Sequence, residues 1–169
     1  MIINILYIIL AIGYVFVALF IAYTMYAFIK GAPFVPTAKG NVGKMIRIAK
    51  LTKYDTLLDL GSGDGRILKR AAKFVKKAIG IEINPLLYWW SKLLLSKYDN
   101  IEIYRNDLWK TDLSSVDVLT LFFIAGKMDA LQKKIKREMQ PGSRVVSYGF
   151  KFPNWNYVTN DDKVYLYIV

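Results

Sequence analysis

The hydrophobic and polar positions of this chain fall into two regimes. Residues 1–29, MIINILYIILAIGYVFVALFIAYTMYAFI, carry no charged side chain. About 20 such residues suffice to cross a bilayer, and a helix apolar on every face suits the interior of a small domain poorly. The run therefore predicts a transmembrane helix. A cleaved signal peptide would begin with basic residues and have a shorter apolar core. Beyond Lys30, short apolar runs alternate with amphipathic stretches. The runs predict strands at 56–60, 78–83, 101–105, 116–123 and 144–150, and WNYVT followed by KVYLYIV predicts a hairpin turning near Asn160 to Asp162. RILKRAAKFVKK reads as a helix with Ile67, Ala71 and Phe74 on its apolar side. KMDALQKKIKREM, 127–139, reads as a helix with Met128, Leu131, Ile135 and Met139 inward, and with Lys133, Lys134, Lys136 and Arg137 on a solvated face. This alternation implies an α/β, Rossmann-like, doubly wound and mostly parallel sheet with a C-terminal antiparallel hairpin. Upstream, the prolines of GAPFVPTAKG predict an extended connector. NVGKMIRIAKL predicts a docking helix with Val42, Met45, Ile46 and Ala49 on one face. The expected organisation is a span over 1–29, a basic connector and docking helix over 30–53, and the sheet domain over 54–169.

The stretch LLDLGSGDGRI, 57–67, places Gly61, Gly63 and Gly65 at a strand-to-helix turn, where the lack of a Cβ lets backbone approach a ligand. No Gly-Lys-Ser/Thr follows, which excludes a phosphate loop, and the sixth position of a dinucleotide fingerprint counted from Gly61 is Arg66. Asp59 and Asp64 would also repel a pyrophosphate. Carboxylates suit a ligand with an amino group and a ribose, and S-adenosylmethionine is such a ligand. Glu82, ending the strand of AIGIEIN, can accept from both ribose hydroxyls, by the geometry used in dinucleotide folds. Asn106 and Asp107, ending the strand of NIEIYR, are placed to meet adenine. Each residue also has a plainer reading: Asp59 or Asp64 as helix cap, Glu82 as a solvated strand end, Asn106-Asp107 as an Asx turn. Three polar tips on consecutive strands favour one site.

DLGSGDGR, IEINP, NDLW, DVLTLFF and VVSYGFKFPNW together resemble the class I S-adenosylmethionine-dependent methyltransferases. In particular they resemble the membrane-anchored lysine methyltransferases related to those acting on the adenine nucleotide translocase and the ATP synthase c-subunit. The resemblance runs from about Pro33 to the C-terminus. It implies that Asp59, Gly61, Gly63 and Gly65 hold the methionine end, Glu82 the ribose and Asp107 the adenine, and that Pro36 and Thr37 help close the site.

Composition narrows the chemistry. The net charge of +11 implies anionic surroundings. With no cysteine and no histidine, thiol catalysis, a Ser-His-Asp triad and cysteine or histidine metal sites are excluded, and no metal is expected. Methyl transfer needs none of these groups, because the sulfonium is already activated. Lys30, Lys39, Lys44, Arg47, Lys50 and Lys53 all precede the first acid, Asp55. By the positive-inside tendency this flank is cytoplasmic and the N-terminus lies outside; in a eukaryote the membrane would be mitochondrial. The same bases suit anionic lipid. They are dispersed and lack a recognisable motif, so nucleic acid is not an expected partner. Phe122, Phe123, Tyr148 and Trp155, near the ends of the fourth and fifth strands, form a candidate channel for a lysine side chain, with Phe150 and Trp109 close by. Desolvation there lowers the amine pKa. No general base is evident, since Asp117 begins its strand. The expected function is methylation of a lysine in a membrane-associated protein; the alternatives are a membrane-lipid or quinone methyltransferase and a non-catalytic cofactor-binding scaffold.

Overall fold

The computed structural model describes residues 2–30 and 34–169, with backbone only at residues 2 and 27–30. Residues 31–33, the first part of the expected connector, lie outside that range. Helix α1 (Ile2–Lys30) is followed by α2 (Lys39–Ile48), β1 (Thr56–Leu60), α3 (Arg66–Ala71), β2 (Lys77–Glu82), α4 (Pro85–Leu95) and β3 (Ile101–Arg105). Then come β4 (Val118–Phe122), α5 (Met128–Glu138), β5 (Arg144–Tyr148), β6 (Thr159–Asp161) and β7 (Val164–Ile168). The strands form one sheet in the order β3-β2-β1-β4-β5-β7-β6. β1 to β5 pair in parallel, while β7 is antiparallel to both β5 and β6. The order reverses between β1 and β4, the position where open α/β sheets bind ligands beyond the strands' carboxyl ends.

The strands read as apolar runs because helices cover both faces. Leu57, Val118 and Val146 face a core shared with Met45 of α2, Ala49 at its C-cap, and Leu68 and Ala71 of α3. Leu58, Leu119 and Val145 face the opposite core, with Leu131 and Ile135 of α5. The docking face expected for α2 is realised: Val42, Met45, Ile46 and Ala49 are all buried. α1 is different. Ile3–Tyr26 is long and apolar enough to cross a membrane by length and composition, and none of it is buried inside the protein.

Three details depart from the pattern. The helix after the glycine turn ends at Ala71, leaving Phe74 exposed and Val75 buried in its place. The chain must turn there to reach β2, and the amides of Lys76 and Lys77 already donate to the Asp55 carbonyl. Lys134 is buried rather than solvated, its Nζ donating to Glu138 at 2.6 Å. The hairpin is shorter than expected: β6 begins only at Thr159, and Asp162 makes the turn at φ 56°.

Candidate functional site

A solvent-open cleft lies over the carboxyl ends of β1, β2 and β4. Its floor is the glycine turn. The amides of Gly61 and Ser62 both donate to the Ile81 carbonyl, at 2.9 and 3.0 Å, which fastens the turn to the neighbouring strand. Gly61, Gly63 and Gly65 have φ values of 80°, 56° and 76°, a region that a Cβ disfavours. Their surroundings differ. A Cβ on Gly61 would meet nothing within 4 Å, one on Gly63 would lie 2.6 Å from the Phe34 ring, and one on Gly65 would strike Leu95 of α4. Gly61 thus leaves open space beside the cleft, whereas Gly63 and Gly65 admit neighbouring segments of the protein.

Glu82 is buried at the end of β2, where its Oε2 accepts from the Gly63 amide and its Oε1 from the Asn84 amide, both at 2.8 Å. Burial pushes its carboxyl above the ordinary range, opposed by these backbone donors. A carboxylate oxygen has two lone pairs, so a fixed Glu82 can still accept from a ligand at each oxygen. Asn84 caps α4 by accepting from the Leu86 amide at 2.9 Å, while its buried Nδ2 has no hydrogen-bond partner among the described residues. An orphaned donor on the cleft wall, beside a carboxylate and an open glycine, fits a polar ligand with hydroxyls and acceptor nitrogens.

Asp59 sits beneath the turn rather than at its mouth. It is buried, accepts from the Thr120 hydroxyl at 2.8 Å, and has its pKa raised from 3.8 to about 7, chiefly by burial, with Glu82 and Asp64 adding like charge. Asp64 is not a bare carboxylate either. Arg66 grips it through Nε and Nη2, at 2.9 and 2.6 Å, while Nη1 of the same guanidinium donates to the Thr37 carbonyl at 2.8 Å. That bond draws the connector over the turn. Phe34, Val35, Pro36 and Thr37 all line the cleft, together with Thr24 of α1.

Asn106 and Asp107 also line the cleft, and both fill the plainer roles their sequence allowed. Asp107 accepts from the Trp109 amide at 3.0 Å, capping a short 3-10 turn (Leu108–Lys110), and Asn106 accepts from the Asp107 amide at 2.9 Å. The expected aromatic channel divides. Phe122 and Phe123 line the cleft, and the Tyr148 ring lies 4.8 Å from that of Phe122, its hydroxyl accepting from Asn41 at 2.7 Å. Trp155 is elsewhere, packed on Phe152 and Tyr167 at 5.2 and 5.1 Å near α5. The segment after β5 turns away at Gly149, where φ is 86°.

Sequence reasoning missed Phe34, Ser62, Asn84 and Thr120. Two of them carried a signal: Thr120 is a polar residue inside the apolar run VLTLFF, and Asn84 precedes Pro85, a cap followed by the proline of a first helical turn.

The ANTKMT methyltransferase domain matches residues 59–159. A protein-lysine N-methyltransferase of Saccharolobus islandicus is 36% identical over 77% of this chain and 84% of its own length. The human lysine N-methyltransferase of the ATP synthase c-subunit is 34% identical over 80% of this chain and 60% of its own length. Among four vertebrate enzymes of that name, the matched part is 51% to 60% of their length, so this chain spans little more than half of them. An RNA methyltransferase of Salinibacter ruber, solved with S-adenosyl-L-homocysteine, superposes with a TM-score of 0.75 at 32% identity, covering 79% of this chain and 93% of that one. With a glycine turn and strand-end acids set around one cleft in a sheet of this order, the chain belongs to the family of the ANTKMT methyltransferase domain.

Proposed function

We propose that this chain is a membrane-anchored enzyme that transfers a methyl group from S-adenosylmethionine to a lysine amine of a membrane-associated protein. The observation that carries the reading is the convergence of an open Gly61, Glu82 and Asp107 on one cleft, in a family whose named relatives act on lysine. When bound, the cofactor supplies a methyl group already activated on sulfonium. The protein's part is to bind, orient and desolvate. In this reading Glu82 accepts from the ribose hydroxyls, Asn106 and Asp107 face adenine, and Asp59 with Gly61, Gly63 and Gly65 receives the methionine end. Pro36 and Thr37 close the cleft from the connector. Phe122, with Phe123 behind it and Tyr148 beside it, forms the wall along which the lysine stem enters; Trp155 has no part in that wall. Apolar surroundings favour the neutral amine, whose lone pair would form the bond to the methyl carbon as the carbon–sulfur bond breaks and the sulfur leaves as the neutral thioether of S-adenosylhomocysteine. The proton lost beforehand passes to water.

The division into a span over 1–29, a connector over 30–53 and a catalytic domain over 54–169 follows from the same reading. So does the orientation, with residues 30–169 on the cytoplasmic side. One observation favours a second acceptor class: the Salinibacter ruber protein is named an RNA methyltransferase. Incubating the full chain with methyl-labelled cofactor and its native membranes separates the acceptors. Label in protein, recovered as methyl-lysine after hydrolysis, supports the proposal; label only in RNA or in lipid refutes it.

A further inference from the structure

Helices α4 and α5 treat solvent differently. α5 buries Leu131 and Ile135 and exposes Asp129, Lys133, Lys136 and Arg137, as an amphipathic surface helix does. α4 buries Leu87 and Leu95 yet exposes Trp89, Trp90, Leu93 and Leu94, with Leu93 72% and Trp89 64% accessible. Clustered tryptophans and leucines on an outer helix face mark an interaction surface.

Charge identifies the occupant. Between residues 65 and 98 the only acid is Glu82, which is buried. Lys69, Arg70, Lys73, Lys92 and Lys97 are exposed in the same stretch, and Lys92 Nζ sits 5.8 Å from the Trp89 ring centroid. Tryptophan beside lysine, with leucines projecting further, is the residue set that settles at the headgroup level of an anionic bilayer. Position agrees, because the start of α4, through Asn84 and Leu87, lines the same cleft as Thr24 of α1. We propose that the outer face of α4, with Lys92 on it and Lys97 just beyond it, docks on the anionic surface of the membrane that α1 enters. This rests on reading α1 as a membrane anchor. It adds a second contact, so that the domain lies against the bilayer with one face rather than swinging freely from its tether.

The test uses a distribution of tryptophans that favours it: α1 contains none, Trp109 packs edge-on to Phe123, and Trp155 packs on Phe152 and Tyr167. The full chain is reconstituted into vesicles of phosphatidylcholine with phosphatidylglycerol, some of it carrying bromine on the upper acyl chain, and alkaline carbonate extraction reports whether α1 is integrated. The expected result is an integrated chain whose tryptophan emission is quenched by bromolipid. The quenching is lost in the double variant Trp89→Phe, Trp90→Phe, and falls in Lys92→Gln, Lys97→Gln or in vesicles without phosphatidylglycerol. An integrated chain with no quenching overturns the docking and leaves the anchor standing; a second copy or a protein partner would then be the occupant. Quenching that persists in the double tryptophan variant overturns it too, because another face is then in contact. A chain that carbonate extracts but bromolipid quenches upholds the docking and removes the anchor. Extraction without quenching removes both.

Discussion

One guanidinium, that of Arg66, joins the Thr37 carbonyl to the Asp64 carboxylate: Nη1 donates to the first at 2.8 Å, and Nε and Nη2 to the second. It thereby ties the connector that follows α1 to the turn that floors the cleft. Lysine cannot replace it, since a single ammonium lacks the planar fork that serves both acceptors. Arg66→Lys is expected to weaken binding of S-adenosylhomocysteine by about 1.5–3 kcal/mol, the scale of a hydrogen bond involving a charged group, and to speed proteolysis within 34–39. Calorimetry and timed chymotrypsin digestion, which cuts after Phe34, measure the two. Burial pushes the Asp64 carboxyl up, but the hydrogen bonds from Arg66 outweigh it and hold it below its ordinary range. The pair's contribution is therefore present above the ordinary aspartate pKa and is lost as pH falls through the lowered folded value.

Asp59 works in the opposite sense. Its folded pKa of about 7 lies above the ordinary 3.8. The folded state therefore holds a proton that the unfolded state gives up, and stability declines as pH rises from about 3.8 to about 7. The full penalty is at most about 4 kcal/mol at pH 8. Asp59→Asn keeps an oxygen to accept from Thr120 and removes the penalty, so its melting temperature should exceed the parent's by more at pH 8 than at pH 5. A cationic ligand lowers the pKa of a nearby acid, so cofactor affinity in the parent should fall as pH drops through about 7, and this dependence should vanish in the variant. Melting curves and titration calorimetry at both pH values decide it.

Gly61 and Gly65 share the left-handed conformation but not their neighbours. Alanine at either should cost about 1–2 kcal/mol of backbone strain. At Gly65 the collision with Leu95 adds an overpacking cost of about 1–3 kcal/mol. Urea melts should rank Gly65→Ala as the less stable. Gly61→Ala should instead show the larger loss of cofactor affinity relative to its loss of stability, because its new methyl group enters space that no protein atom fills.

Glu82→Ala should weaken cofactor binding by about 1.5–3 kcal/mol, the range for hydrogen bonds to a charged group. It also orphans the Gly63 and Asn84 amides, so a fall in stability should accompany it. Unchanged affinity measured by calorimetry would move the ribose away from β2.

Orientation is tested on intact cells or spheroplasts. Protease added from outside should spare residues 30–169 until the membrane is opened with detergent; digestion without lysis reverses the topology.

The fold was largely legible because each element followed from one local rule. Apolar runs gave the strands to within two residues at most ends, and the 3.6-residue period gave the buried faces of α2 and α5. The errors arose where a distant part of the chain decided the outcome. α3 stops at Ala71 in a chain that must reach the Asp55 carbonyl by Lys76 and Lys77, and Lys134 is buried because Glu138 pairs with it. At the cleft, a glycine spacing and acids at strand ends were visible as types and positions. Their states were not. That Asp64 is matched by Arg66, that Asp59 is buried under Thr120, and that Phe34 lies over Gly63 depend on residues two to sixty-one positions away. Trp155 was grouped with Phe122 on proximity to a strand end, and the positive φ at Gly149 sends its segment elsewhere.

The bond from Arg66 to Thr37 also sets a length. With Phe34 to Thr37 seated on the glycine turn, only Gly31, Ala32 and Pro33 remain between the last residue of α1 and the seated segment. At 3.8 Å between successive Cα atoms, those four steps reach at most about 15 Å. The cleft is therefore confined to a shell about that deep at the end of the helix. On the proposed reading of α1 as a membrane anchor, a target side chain enters the cleft only if its protein presents it close to the bilayer surface, so distance from the membrane acts as a filter before any contact with the site is made.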